Sequence, residues 1–262
     1  ALTNALPVNA ALGLIDYYET VGFADHRTSA EVWYKLLNCG AEIAAAGGTD
    51  AMANYASLRG PVGLDRTYVR VPGNPRLPTD RRVAWLTGLK SGASIATNGP
   101  LIGFAVNGQH PGSRIALTGE DLEVRFEGFL RSTFEVNHLE VVFNGKVIES
   151  FDKADGQTTA NISGRARIEE SGWLLLRAWS DDPHPLVLDV YPYATTSPVY
   201  ITVDGKPPQS TEDAEYFLAW VGNLRTAVNS HEDFNSDQER DEIIQHLDQA
   251  EAYYERCRQQ LE

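Results

Sequence analysis

Apolar and polar positions change period three times along the chain. In the first hundred residues short apolar runs alternate with helical patterns. Leu14, Ile15, Tyr17, Tyr18 and Val21 suit a strand that Gly22 breaks. Ala30, Trp33, Leu36 and Leu37 then recur at helical spacing, and Asn38-Cys39-Gly40 ends that helix. Thr28-x-x-Glu31 is a capping-box pattern that predicts its start. Ile43-Ala44-Ala45-Ala46, closed by Gly47-Gly48, reads as a short strand buried on both faces. Strand, helix, strand predicts a βαβ unit with parallel strands. A strand over 64–73 and a helix over 79–92 follow, the helix capped by Thr79 with Val83, Leu86 and Leu89 inward. A short strand at ASIATNGP closes the region.

From Leu101 to about Val203 the period is two. Leu122, Val124 and Phe126 alternate with Glu123, Arg125 and Glu127, and Asn107-Gly108 and Asn144-Gly145 are hairpin signals. Residues 171–180, apolar on both faces, predict a central strand. About seven strands at this spacing predict a β-sandwich. The period then returns to 3.6. One helix presents Phe217, Trp220, Val221 and Leu224. A second carries Ile243, Leu247, Ala250, Tyr254, Cys257 and Leu261 in a 3.5-residue seam. The preceding helix or a second copy of the chain could cover that seam.

The parallel unit sets the expected site. Its loops, 22–27 and 47–55, should open on one rim and bring Asp25, His26 and Asp50 within reach of one another. One histidine and two carboxylates suit zinc, manganese or iron. Each also has a plainer reading. Asp50 caps a turn, and His26 is a loop residue or a helix-start partner of Glu31. Arg59, Arg66 and Asn98 are polar residues near the same rim. An arginine there could hold an anionic group of a substrate or bridge to the many acids.

Composition narrows the classes. The 262 residues hold 42% hydrophobic and 22% charged side chains, as ordinary globular proteins do. The net charge of −14 disfavours nonspecific binding to nucleic acid. No apolar run approaches ~18 residues, so no membrane-spanning helix is expected. No charged-then-apolar segment opens the chain, so no signal peptide is expected; the chain reads as a fragment or processed form of a longer protein. Cys39 and Cys257 have no zinc spacing and read as buried thiols. There is no phosphate-binding glycine loop, nucleophile elbow or HExxH motif. Trp173 and Trp179, six apart on one strand, should share a face; if exposed, they would form an aromatic binding platform.

GGTDAMANYASLRGPVG, with WYKLLNCG before it and ATNGP after it, resembles the C-terminal part of the CehA/McbA family, metallohydrolases related to the PHP superfamily. The likeness is best from Pro7 to Pro100 and thinner beyond. It implies an α+β chain: a partial PHP-like α/β barrel over 1–98, an antiparallel β-sandwich over 99–205 and a helical hairpin over 206–262. It also implies a divalent metal, hydrolysis of an ester, amide or phosphoester in a small-molecule substrate, and a ligand at Asp50; His26, from the neighbouring rim loop, is the expected second ligand. Asp25, Arg59 and Asn98 would stand behind them or meet substrate. The family motif ends Asp-x-His, whereas this chain has Met52 at the last position, so only Asp50 carries over. Most ligands of such sites lie in a barrel half that these residues do not include, so this stretch alone is expected to be inactive. The other function class is a non-catalytic β-sandwich module for binding or structure.

Overall fold

The computed structural model describes residues 4–52, 60–73 and 76–259. The first half of the chain gives α1 (Leu6–Ala11), β1 (Tyr17–Val21), α2 (His26–Asn38), β2 (Ala44–Gly47), β3 (Arg66–Val69), α3 (Pro78–Lys90) and β4 (Ser94–Thr97). The extended part gives β5 (Leu101–Val106), β6 (Arg114–Leu117), β7 (Glu123–Val136), β8 (His138–Phe143), β9 (Lys146–Ser150), β10 (Gln157–Arg167) and β11 (Gly172–Trp179). A 3₁₀ turn at Pro185–Val187, β12 (Tyr193–Thr196), β13 (Val199–Val203), α4 (Thr211–Ser230) and α5 (Asp237–Arg258) complete it. The architecture is mixed α+β.

Two compact units divide these elements: Ala1–Ile15, Lys35–Glu42 and Pro207–Glu262 in one, Asp16–Tyr34 and Ile43–Lys206 in the other. In the first unit α5 packs on α4 and α1 through the expected seam. Leu247, Ala250, Tyr254 and Cys257 are buried, Tyr254 stacks on Phe217 with centroids 5.0 Å apart, and its hydroxyl donates to Pro7 O. Leu261 lies outside the described residues. Ser210 caps α4 by accepting from Asp213 N. Asp213 in turn accepts from Lys35 Nζ at 2.6 Å and from Asn38 Nδ2 at 2.7 Å. Cys39 and Cys257 are both free and buried.

In the second unit β1 and β2 pair in parallel, Tyr17 opposite Ala44, so the βαβ step is present. The strand starts later than the apolar pattern suggested, and Leu14 is exposed. Two further sheets face one another across a core built from Ile102, Phe126, Leu130 and Ile162 on one side and Leu139, Val141, Leu174 and Leu176 on the other. The small sheet runs β10-β7-β5. The large sheet runs β3-β4-β12-β11-β13-β6, with β8 and then β9 on the other side of β11. As expected, β11 is central, because its side chains are apolar on both faces and both its edges are paired. Residue 98, where the hydrophobic period changes, lies inside this unit: β4 before it pairs with β12 far beyond it. Asn107-Gly108 and Asn144-Gly145 both take positive φ at both positions, the geometry a two-residue hairpin turn demands.

Helix α3 departs from its pattern. Val83 and Leu86 face outward, and only Gly88 and Leu89 are buried, Leu89 against Ala44, Ala46 and Val69. Leu77, not Thr79, precedes its first turn, with Pro78 pre-set for the helix and no side-chain cap.

Candidate functional site

The βαβ unit places the expected residues at the carboxyl ends of β1 and β2. Asp25 is the residue before α2. Its Oδ1 accepts from Thr28 N at 2.8 Å, so Asp25, and not Thr28, caps the helix. Its Oδ2 accepts from the Tyr191 hydroxyl at 3.0 Å, and that hydroxyl accepts from Arg27 N. Partial desolvation works against ionisation here, but these bonds outweigh it and hold the Asp25 carboxyl below its usual range.

His26 turns inward and is 3% exposed. Its Nε2 lies 3.2 Å from Asn98 Nδ2. The Asn98 amide has one permitted orientation. Tyr193 N must donate to Oδ1, at 2.7 Å, and Tyr191 O must accept from Nδ2, at 2.9 Å. The remaining Nδ2 hydrogen therefore points at His26, whose Nε2 accepts it, leaving the ring proton on Nδ1. Among the described residues that Nδ1 is buried with no partner, as is Nε of Arg66, whose Nη2 donates to Asn98 O. Burial pushes the His26 pKa down to about 4, partly countered by Asp25, so the ring is neutral. With Nε2 engaged by Asn98, this histidine is arranged as a hydrogen-bond donor at Nδ1.

Asp50 follows β2 at φ 55°, a left-handed conformation that aspartate tolerates better than most residues, and it is exposed. Two further carboxylates that sequence reasoning did not single out lie beside it. The Glu19 carboxylate lies against Gly48, in the space where a Cβ on that residue would stand. Asp65 N donates to Thr49 Oγ1 at 2.8 Å, which ties the start of β3 to the residue before Asp50. Burial raises the Glu19 pKa, and the charges of Asp50 and Asp65 raise it further. Burial also pushes Asp65 up to about 6, against the pull of Arg66. Sequence pattern could not find this group, because Glu19 and Asp65 come from segments 46 residues apart. Arg59 lies outside the described residues.

Carboxylate oxygens are the donors a hard divalent cation such as manganese takes, but those of Glu19, Asp50 and Asp65 do not all come within 4.8 Å of one another. Among the described residues no imidazole nitrogen is directed at them.

A second polar cluster lies on the β8–β11 face. Among the described residues, His138, Glu140 and Asp152 form a group whose ligand-type atoms all lie within 4.8 Å of one another. Its geometry is that of an imidazolium clamp. His138 Nδ1 is 2.9 Å from Asp152, Nε2 is 3.0 Å from Asp181, and carboxylates can only accept, so both nitrogens carry protons. Desolvation works against the charge, and the two carboxylates raise the pKa over it. Glu140 accepts from Arg177 Nε at 2.6 Å and from Trp179 Nε1 at 3.0 Å. His138 stacks on Trp179 with centroids 3.8 Å apart, and the Arg27 guanidinium lies 4.0 Å from the same ring. Two groups that close must take opposite faces. Three carboxylates against two guanidiniums leave one charge to balance, which an imidazolium supplies and a divalent ion would exceed.

Trp173 is fully buried against Tyr34, with centroids 4.8 Å apart, and Trp179 lies under Arg27. The two tryptophans share a face, as six residues along a strand require, and α2 covers it. Compared with protein-family models, curated proteins and solved structures, the chain matches none.

Proposed function

We propose that this chain is part of a metal-dependent hydrolase acting on an ester, amide or phosphoester, as its resemblance to the CehA/McbA family implies. The observation that supports the reading is the position of Asp50. It stands at the carboxyl end of a buried parallel strand, and its charge and that of Asp65 both reach Glu19. Asp50 would be a ligand of the ion, and the charges gathered around Glu19 and Asp65 would favour a cation there. When bound, a divalent ion polarises a substrate oxygen and lowers the pKa of a coordinated water. The neutral His26, donor at Nδ1, and Arg66 would orient an acceptor oxygen of the substrate, and Asn98 would fix the tautomer of His26.

The test is calorimetric titration of manganese into the chain and into Asp50→Asn, with melting temperature as the fold control. Hydrolysis of nitrophenyl acetate and nitrophenyl phosphate is followed in the longest natural form of the protein. Loss of most manganese affinity in the variant, at unchanged melting temperature, supports the reading. Absence of manganese binding in the parent, or equal affinity in both, overturns it. The alternative of a sandwich binding through Trp173 and Trp179 lacks its platform, since neither ring offers an open face.

A further inference from the structure

Away from the carboxylates, a cleft of about 770 Å³ lies between β3–β4 of the large sheet and β5, β7 and β10 of the small one. That is within the ~300–1,000 Å³ range of sites for small organic ligands. One end is apolar. Tyr68 and Ile95 pair across β3 and β4, and Phe129 faces them from β7. The Phe129 ring covers Gly103, its partner on β5, where any side chain would collide with it. The Arg131 guanidinium is 5.4 Å from the ring centroid and is itself held by Leu130 O, Ala160 O and Asn161 Oδ1. This wall is therefore fixed in advance, which lowers the ordering cost of binding.

The other end is polar. Arg70 hydrogen-bonds through its backbone to Ala93, and Glu127 stands opposite Ala105 on β7. His110 also lines the cleft. Among the described residues neither Arg70 nor Glu127 forms an ion pair, in a chain with 36 acidic and 22 basic side chains. An anionic head alone would meet Glu127, and a cationic one alone would meet Arg70.

The geometry points to a binding site for a small amphipathic molecule with an apolar, ring-bearing body and a zwitterionic, amino-acid-like head. The body lies among Tyr68, Ile95 and Phe129; the acid group pairs with Arg70 and the ammonium with Glu127. This site is independent of the metal reading, so its test is run in chelator. Calorimetry compares naphthylalanine, naphthylacetate and naphthylethylamine, which share one body and differ in head. Naphthylalanine binds tightest. Arg70→Gln weakens naphthylalanine and naphthylacetate by roughly tenfold and spares the amine; Glu127→Gln does the converse. Ser163→Trp, an exposed change on the β10 wall, blocks all three. Equal affinity for the three heads, indifference to both charge substitutions, or no binding of naphthylalanine overturns the proposal.

Discussion

Asn98 donates to Nε2 of His26 at 3.2 Å, and this one bond sets the tautomer of the only buried histidine among the described residues. Asn98 also holds Tyr193 N and Tyr191 O. Asn98→Ala leaves two backbone groups without partners and is expected to cost about 3 kcal/mol, measured as a shift in urea midpoint. Asn98→Asp puts a carboxylate oxygen against Nε2 and should raise the His26 pKa well above its present value. The titration of the ring protons by NMR reads this directly. An unmoved pKa would mean that burial alone controls the ring.

His26 and His138 pull stability in opposite directions with pH. The folded His26 titrates near 4 and the unfolded one near 6.5, so the unfolded chain binds the extra proton in between. Stability from His26 is present above 6.5 and falls by roughly 3 kcal/mol as pH drops towards 4. The folded His138 titrates above 6.5, so its contribution is complete below 6.5 and is lost as pH rises through the folded value. His138→Phe keeps a ring on Trp179 and removes both charged bonds. Denaturant midpoints across pH 5 to 9 should lose their alkaline decline in this variant and keep their acidic one.

Glu140 and Arg177 form a largely buried pair, with side chains 10% and 16% exposed. Removing one partner strands the other charge, so Glu140→Gln or Arg177→Met is expected to cost roughly 3–5 kcal/mol. Replacing both with Leu and Met should cost much less than the two single changes added. A double-mutant cycle on urea midpoints measures the coupling.

Protons and a cation would compete for the carboxylates around Asp50. Asp65 holds its proton up to about 6, so manganese affinity should climb as pH rises through that value and release a proton on binding. Asp65→Asn should flatten the climb. Titrations in two buffers of different ionisation enthalpy count the protons.

Much of the fold was legible because local pattern and tertiary demand agreed. Val21 and Ile43-Ala44-Ala45-Ala46 are buried as their apolar runs require, β11 is central, and the two Asn-Gly turns take the φ their chemistry favours. Leu247, Ala250, Tyr254 and Cys257 followed from period alone. Helix α3 was misread for an equally physical reason. Periodicity marks an apolar face but not whether anything covers it, and α3 meets its sheet only through its last turn.

The sequence by itself determined the parallel βαβ unit and the loop that carries Asp50, because strand burial and glycine placement are local properties. It also supplied the names His26, Asp25 and Asn98. Only the tertiary structure decided what these residues do. Asp25 caps α2 because the chain turns into the helix three residues earlier than Thr28-x-x-Glu31 suggests. His26 is a neutral donor because Tyr191 and Tyr193, some 165 residues away, orient the Asn98 amide. Glu19 and Asp65 join Asp50, and His138 gains two carboxylates, through strand pairings between distant segments. Hydrogen-bond direction and charge balance depend on which groups meet in space, and spacing along the chain does not record that.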